Sequence, residues 1–504
     1  MNSAVFQTGI IDVGAHTVRL EIFEVGETGD YQILESLTRA SRLGTDVFRS
    51  GFVSPESADA FSAVMCDYAA ILREYGIQKV RAFATSAIRE AGNRDLIIDR
   101  IRHDSGIELE IMESAAEIEL VYLSMKEQLQ QFELSEEEPI IAVVIGSGSL
   151  FVILLRKGEL KFCEEIPLGT DRFSGLFGSD KVTSVQFFEE LRALDIPQRL
   201  AESAGFLPGE SVHFITMGAA PRPVAGEKHS NVLMNTGDVK AMIAEFMDIP
   251  VSQIADSFGI SADDAAAGVG AAVMLECFQK LFNCKDFICL SRSTREAAVA
   301  HMIRMERTPG IEPFRDDLRS LCYAIGNKYG FDAVHAGVVA GTSLKILETL
   351  REGFNFPPRS EMLLEVAALL HDIGRFVDTR DHNLHSCYLI SATQLPGLTP
   401  AEHRIVALIA GTHRGNVDSF LSGTDNLFPE HRVLVLKLAA VLRAADALDC
   451  AREGKFRNIS MTRSGVVLEF MGSGGDFYSE SRELELKGGL FSKVFGMKVR
   501  IQEG

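Results

Sequence analysis

Residues 10–25 read IIDVGAHTVRLEIFEV, and residues 142–155 read AVVIGSGSLFVILL. Each stretch contains an apolar, β-branched run, a short turn of small and hydroxyl residues, and a second apolar run. Two β-rich runs joined by a glycine-containing turn are typical of a β-hairpin. Because the same pattern occurs twice, with alternating helical and strand patterns between the copies, we predict two duplicated α/β domains that face each other.

The chain has 504 residues, which is enough for about three or four domains with their own cores. From about Asp316 the pattern changes to long amphipathic helices, as in residues 363–376 and 431–449. After Arg457 short alternating runs return and indicate a small terminal sheet. The predicted architecture is two α/β domains, then an all-α domain, then a small α+β domain. The predicted boundaries are 1–135, 136–308, 309–457 and 458–504.

Composition restricts the class of protein. The sequence is 46% hydrophobic and 24% charged, without a long uninterrupted apolar run or a basic leader, so we expect a cytoplasmic chain. Its eight cysteines form no CxxC pair, which argues against a zinc site or a disulfide framework. The net charge of −20 argues against a nucleic-acid or anionic-membrane surface. An anionic ligand would need a local cluster of arginines and backbone N–H groups.

The two hairpin turns are candidate phosphate loops, because a turn of glycine and hydroxyl residues can direct several backbone N–H groups at one concavity. Asp12 precedes the first turn by two residues. A turn without any ligand remains the alternative for each stretch alone. The candidate loop residues are Gly14, Ala15, His16 and Thr17 in the first turn and Gly146, Ser147, Gly148 and Ser149 in the second.

Several collinear stretches resemble the exopolyphosphatase / guanosine pentaphosphate phosphohydrolase (Ppx/GppA) family. The two hairpins resemble the family's two phosphate loops, and further stretches agree in order: RLGTDVFRSGFVSPES (42–57), ATSAIREAGN (84–93), EIPLGTDRF (165–173) and SRSTREA (291–297). The resemblance implies the acetate kinase/actin/Hsp70, ribonuclease H-like fold. It also implies release of terminal phosphate from polyphosphate or guanosine pentaphosphate, a site in the cleft between the two domains, and a homodimer.

The resemblance also implies roles for individual residues. Glu117 aligns with the family's catalytic glutamate, a general base for the attacking water, and Arg89 aligns with its phosphate clamp. Asp12 would hold Mg²⁺ directly or through water. A solvated glutamate on an amphipathic helix is the alternative for Glu117. Arg19, Arg42 and Arg172 are candidates for a further positive lining.

The second loop departs from the family pattern. Val144 stands where the family carries an aspartate, Ser147 replaces a glycine, and Phe151 replaces a glutamate. Loss of a carboxylate weakens a Mg²⁺ site, because this ion relies on one or two carboxylates and on substrate oxygens. A regulatory protein that binds polyphosphate or guanosine tetraphosphate without efficient turnover is therefore an alternative function.

The helical region contains LLHDIGR (369–375), which resembles the His-Asp motif of HD-type phosphohydrolases. This resemblance implies a second divalent-metal site, because imidazole and carboxylate suit Mn, Fe, Zn or Mg. A metal-dependent phosphohydrolase centred there is a third possible function, and a purely structural HD-like domain is its alternative. The candidate ligands are His335, His371, Asp372 and Asp446, with His385 and His413 as candidates for a second metal position.

Overall fold

The chain forms two compact units, Met1–Ile311 and Glu312–Gly504. They are seen in a computed structural model that describes residues 5–135, 137–172, 184–204, 210–218, 231–258, 262–308, 312–415, 428–473 and 476–502. The division into four domains stays a prediction.

A five-stranded sheet begins the N-terminal unit, with the strand order β3-β2-β1-β4-β5. The strands are β1 (Phe6–Val13), β2 (Thr17–Val25), β3 (Tyr31–Ala40), β4 (Lys79–Ala84) and β5 (Leu109–Ile111). Strands β1, β2 and β3 pair antiparallel, whereas β4 pairs parallel with both β1 and β5. The accompanying helices are α1 (Leu43–Ser50), α2 (Pro55–Glu74), α3 (Ser86–Glu90), α4 (Arg94–Ser105) and α5 (Ser114–Leu129).

A second, six-stranded sheet has the order β10-β11-β9-β6-β7-β8. It contains β6 (Ile140–Ile145), β7 (Leu150–Arg156), β8 (Glu159–Ile166), β9 (Ser211–Gly218), β10 (Val232–Asn235) and β11 (Asn283–Cys289). Its helices are α6 (Ser184–Ala193), α7 (Ile196–Ala204), α8 (Thr236–Asp248), α9 (Val251–Phe258) and α10 (Ala262–Leu281), and α11 (Thr294–Arg307) follows the sheet. Strand β6 pairs antiparallel with β7 and parallel with β9. Both predicted hairpins are thus confirmed, and each belongs to a mixed α/β sheet.

Burial explains why these sequences form central strands. In β1 the side chains of Ile10, Ile11 and Val13 are fully buried, and in β7 all residues but Arg156 are buried. Strands covered on both faces show continuous rather than alternating apolar runs, as these do. The glycine-containing turns then fall at one end of each sheet, where the two hairpins close.

Helices dominate the C-terminal unit. These are α12 (Arg315–Lys328), α13 (Ala333–Leu350), α14 (Ser360–Leu370), α15 (His382–Ser391), α16 (Pro400–Gly411), α17 (Pro429–Leu448), α18 (Tyr478–Lys487) and α19 (Gly489–Phe495), with a 3-10 turn at Ile373–Phe376. A small sheet of β12 (Ser460–Ser464), β13 (Val467–Met471) and β14 (Lys498–Ile501) completes the unit. Among the described residues from 312 to 448, all regular structure is helical.

The described helices differ from those that span membranes. Within the described ranges, none combines the length and the apolar character that crossing a bilayer requires.

Tyr68 ties helix α2 to the first sheet. Its buried hydroxyl donates to the carbonyl oxygens of Val18 at 2.9 Å and Leu37 at 3.3 Å. We expect Tyr68→Phe to lower the free energy of unfolding by about 1 kcal/mol, because a buried hydrogen bond contributes about this much. Tyr75→Phe is the matched control, since that hydroxyl contacts Glu35 at an exposed position. Urea denaturation of both variants tests this, and equal effects would contradict it.

Candidate functional site

Arg89 connects the two halves of the N-terminal unit, the first half with the five-stranded sheet and the second half with the six-stranded sheet. It lies in the short helix α3, directly after β4, and its side chain is 9% exposed. Its Nη1 donates to Glu117 Oε2 at 3.0 Å and to the Met112 carbonyl oxygen at 2.8 Å, and its Nη2 donates to Glu165 Oε1 at 2.6 Å. Glu117 belongs to the first turn of α5, whereas Glu165 belongs to β8 of the second sheet. One guanidinium therefore holds carboxylates from both halves.

The Glu117 carboxyl is an unusual acid because its side chain is only 14% exposed. Burial raises its pKa to about 7, and the neighbouring charges of Glu165 and Asp12 act in the same direction. The Arg89 guanidinium partly offsets this rise by favouring the carboxylate. The outcome is a carboxyl that exchanges its proton near neutral pH.

Asp12 is neutralised by a cation that the sequence did not single out. Arg295, in the first turn of α11, is 3% exposed and extends to the first sheet. Its Nη1 donates to Asp12 Oδ2 at 3.1 Å, and its Nη2 lies 2.8 Å from Glu21 Oε1. One buried guanidinium thus pairs with two carboxylates, and removing it would leave both of them uncompensated.

The two predicted phosphate loops adopt matching turns. The Gly14 amide donates to the Thr17 carbonyl oxygen at 2.9 Å, and the Gly146 amide donates to the Ser149 carbonyl oxygen at 2.9 Å. The first N–H of each loop is thus used within its own hairpin, and phosphate binding by the loops stays a prediction. The remaining loop residues are Ala15 and His16 in the first turn and Ser147 and Gly148 in the second.

Asp171 connects the two loops. His16 Nδ1 of the first loop lies 3.2 Å from Asp171 Oδ2, and the Asp171 amide donates to the Ser147 carbonyl oxygen of the second loop at 3.0 Å. Ala15 is buried under α1, where its carbonyl oxygen accepts from the Gly44 amide at 2.9 Å. Both loops are therefore anchored rather than free-standing.

Gly148 marks the closest approach of the second loop to the first half. A Cβ at this position would lie 2.1 Å from Ser86 Oγ and 2.7 Å from the Phe48 ring, so that only glycine fits without a shift. Arg172 completes the contact, because its Nε donates to the Gly148 carbonyl oxygen at 3.0 Å and its Nη2 donates to Glu90 at 2.7 Å.

Val144 and Phe151 occupy the positions where the resemblance leads one to expect carboxylates. They are direct partners on the neighbouring strands β6 and β7, and they are 8% and 4% exposed. The second loop is thus supported by an apolar cross-strand pair.

In the C-terminal unit the four predicted ligands His335, His371, Asp372 and Asp446 converge although they come from different elements. They take part in three overlapping groups of potential ligand atoms that lie within 4.8 Å of one another, all buried. The groups are His335/His371/Asp372, His371/His413/Asp446 and Asp372/His382/His413. Burial lowers the pKa of His413 to about 3, which keeps this imidazole neutral.

The sequence reasoning named His385 as a candidate for a second metal position and did not name His382. His385 belongs to none of the three groups, whereas His382, three residues earlier on the same helix face, belongs to one. Glu165 and Arg295 were also missed, although both lie in stretches that carry the family resemblance. The signal that could have identified them is a charged side chain within a stretch that resembles a family motif.

Comparisons with known proteins agree on one family. A family model described as the Ppx/GppA phosphatase family matches residues 22–306, and one described as Ppx/GppA phosphatase, domain III, matches residues 320–468. A guanosine-5'-triphosphate,3'-diphosphate pyrophosphatase of Photobacterium profundum is 20% identical over 440 residues, which cover 86% of this chain and 84% of that protein.

Two further relatives each match 59% of the chain. Exopolyphosphatase 1 of Mycobacterium leprae is 25% identical over 310 residues, 59% of this chain and 90% of that protein. The crystal structure of an exopolyphosphatase from Cytophaga hutchinsonii superposes with a TM-score of 0.50 at 21% identity, covering 59% of this chain and 98% of that chain. This last likeness supports the fold.

Glu117→Gln should change how stability depends on pH. In the folded wild type the carboxyl keeps its proton up to about pH 7, whereas a carboxyl in the unfolded chain releases it near 4.5. The folded state thus binds more protons in this window, so wild-type stability falls as pH rises from about 4.5 to about 7. Glutamine does not titrate, so the free energy of unfolding of the variant should not fall in this way. Relative to wild type, it should rise by up to about 3 kcal/mol between pH 4.5 and pH 7.

Urea denaturation between pH 4.5 and 8 measures this difference. Glu113→Gln, at the residue that precedes the same helix, is the control and should keep the wild-type pH dependence. A constant difference between Glu117→Gln and wild type would contradict the raised pKa.

Proposed function

The chain belongs to the Ppx/GppA phosphatase family, and we propose that it releases terminal orthophosphate from inorganic polyphosphate or from guanosine pentaphosphate. The names of its relatives, exopolyphosphatase and guanosine-5'-triphosphate,3'-diphosphate pyrophosphatase, support this substrate class. The observation that carries the proposal is the Glu117 carboxyl, which lies 3.0 Å from Arg89 Nη1 and whose pKa burial raises to about 7.

Glu117 would act as the general base. A carboxylate with a pKa near the operating pH is deprotonated often enough to accept a proton and basic enough to do so effectively. It would take a proton from the water whose oxygen bonds to the terminal phosphorus. The bond between that phosphorus and its bridging oxygen breaks, and the shortened phosphate chain leaves with the bridging oxygen.

Arg89 would bind the terminal phosphate. A guanidinium fork matches two phosphate oxygens, and such charge-assisted bonds are strong. In the structure Nη2 is held by Glu165, so a phosphate oxygen would replace that carboxylate while Nη1 stays with Glu117. The exchange would place the phosphorus next to the base, and catalysis would then rest on positioning and charge, as in phosphoryl transfer generally.

The cleft residues do not fit a Mg²⁺ ion held directly by protein carboxylates. Asp12 is paired with the buried Arg295, and Val144 and Phe151 supply apolar side chains in place of further oxygen ligands. In the described part of the chain, the groups of ligand atoms that could hold a metal all lie in the C-terminal unit. The steps proposed for the cleft therefore use the side chains of Glu117 and Arg89.

Binding without turnover is a second candidate function. The buried Val144–Phe151 pair favours it, because these apolar residues stand where the family pattern has two carboxylates. A protein of this kind would hold polyphosphate or guanosine tetraphosphate and signal its presence by changing conformation.

Release of orthophosphate from long-chain polyphosphate tests the proposal. We expect Glu117→Gln to lower kcat by about 10²- to 10⁴-fold, because it removes the general base. Glu113→Gln should retain the wild-type rate. In wild type, kcat/KM should rise with pH through about 7, as the base loses its proton.

Two results would count against the hydrolase. Unchanged turnover in Glu117→Gln would exclude this residue as the base. Tight polyphosphate binding by wild type with no phosphate release at any pH would establish the binding protein instead.

A further inference from the structure

The Val144–Phe151 pair has a third member on the next strand. Phe151 of β7 pairs with Val144 of β6 on one side and with Glu165 of β8 on the other. Directly paired residues in an antiparallel sheet present their side chains on the same face. These three side chains therefore form one row across the strands. Because β6 and β7 contain no acidic residue, it is Glu165 that brings a carboxylate to this row.

This row lies on the face of the sheet that points away from the core of the second half. Val143 and Val152, which neighbour the row on β6 and β7, belong to that core. Successive side chains of a strand point to opposite faces. Glu164, the direct partner of Val152, therefore lies on the core side, and Glu165 lies on the other side. There its side chain is 16% exposed and reaches Arg89 of the first half.

Glu165 holds the nitrogen of Arg89 that a phosphate would use. Its Oε1 accepts from Nη2 at 2.6 Å, which is shorter than the contacts of Nη1 with Met112 at 2.8 Å and Glu117 at 3.0 Å. A guanidinium binds carboxylate and phosphate oxygens with the same fork of N–H groups. Two anions at one nitrogen repel each other, so a phosphate oxygen and the Glu165 carboxylate would compete for Nη2.

The burial of Arg89 favours the return of Glu165 after a phosphate leaves. The Arg89 side chain is 9% exposed, and a buried charge that loses a partner is strongly destabilised. The Glu165 carboxylate restores this pairing without any ligand. The empty cleft is therefore stable with Glu165 on Arg89, and a bound phosphate has to displace a well-placed anion.

We propose that Glu165 is an internal competitor for Arg89, which it occupies in the empty cleft and to which it returns after the reaction to expel orthophosphate. This inference rests on the proposed function, because that function places the terminal phosphate on Arg89. Glu165 is thus a positioning residue that acts through Arg89 and takes no part in breaking the phosphate bond.

Competition of this kind weakens every ligand of Arg89 by the same factor. The apparent affinity of a ligand falls in proportion to the fraction of protein whose site is open to it. A phosphate chain and free orthophosphate therefore both bind less tightly while Glu165 is present. The consequence is largest for turnover, since orthophosphate must leave Arg89 in every cycle.

Calorimetry on the full chain tests the proposal with two ligands that undergo no reaction. These are orthophosphate and a tripolyphosphate analogue with methylene groups in place of the bridging oxygens. We expect Glu165→Gln to bind both ligands about tenfold more tightly than wild type, and by the same factor, if Glu165 occupies Arg89 about nine-tenths of the time. Glu164→Gln removes the same charge from the opposite face, where Glu164 pairs with Arg199, and should keep the wild-type affinities.

Glu165→Asp separates direct contact from overall charge. It keeps the negative charge but shortens the side chain by one methylene group, so that the contact with Arg89 Nη2 is lost. This variant should also bind both ligands more tightly than wild type. Wild-type affinity in Glu165→Asp, or in Glu165→Gln, would overturn the internal competitor. If the analogue bound to neither wild type nor any variant, the proposed function would fail together with this inference.

The titration of Glu117 gives a readout that does not depend on a ligand. The charge of Glu165 is one of the causes that raise the pKa of Glu117 to about 7. In folded Glu165→Gln, as checked by circular dichroism, the midpoint of the Glu117 carboxyl titration should therefore shift to lower pH. An unshifted midpoint would contradict the shared contact with Arg89, and Glu164→Gln should leave the midpoint at the wild-type value.

Discussion

The Arg89 guanidinium is the interaction on which the N-terminal site depends. Buried charges are tolerated in proteins only when they are paired and hydrogen-bonded. Arg89 meets this condition by binding Glu117 of the first half and Glu165 of the second with separate nitrogens. The same contacts join the two halves and hold the Glu117 carboxyl in the poorly solvated place that keeps its pKa near neutrality.

The buried carboxylates of the two units have different partners. In the N-terminal unit Asp12, Glu117 and Glu165 are balanced by arginines, which are always protonated and carry fixed geometry. In the C-terminal unit one oxygen of Asp372 faces His382 and one oxygen of Asp446 faces His335, while Arg452 and Lys487 bind the other oxygens. The first arrangement suits a polyanion that exchanges partners with guanidinium groups, and the second suits metal ions.

Local patterns were sufficient to predict the hairpins. The β-branched runs at 10–25 and 142–155 surround glycine turns, and pairing between such neighbours depends on short-range sequence alone. The strand orders were beyond this reasoning, because β4 joins β1 and β9 joins β6 across long stretches of chain. Parallel pairings of this kind are decided by the packing of whole elements.

The site shows the same division between local and long-range information. Glu117 and Arg89 came from motifs that resemble a family, but Glu165 and Arg295 are partners only through the folded structure. His382 and His385 show why sequence alone could not identify every member of the histidine and aspartate cluster. Both lie on α15, and only the packing of that helix against its neighbours decides which imidazole enters the cluster.

The pKa of the Glu117 carboxyl is the property on which the proposed function depends most directly. It can be measured by carbon-detected nuclear magnetic resonance of protein labelled at the glutamate side-chain carboxyl carbons, with Glu117→Gln assigning the signal by its disappearance. We expect a carboxyl titration with a midpoint near pH 7. A midpoint near the ordinary value of about 4.5 would contradict it and would remove the physical basis for Glu117 as a general base.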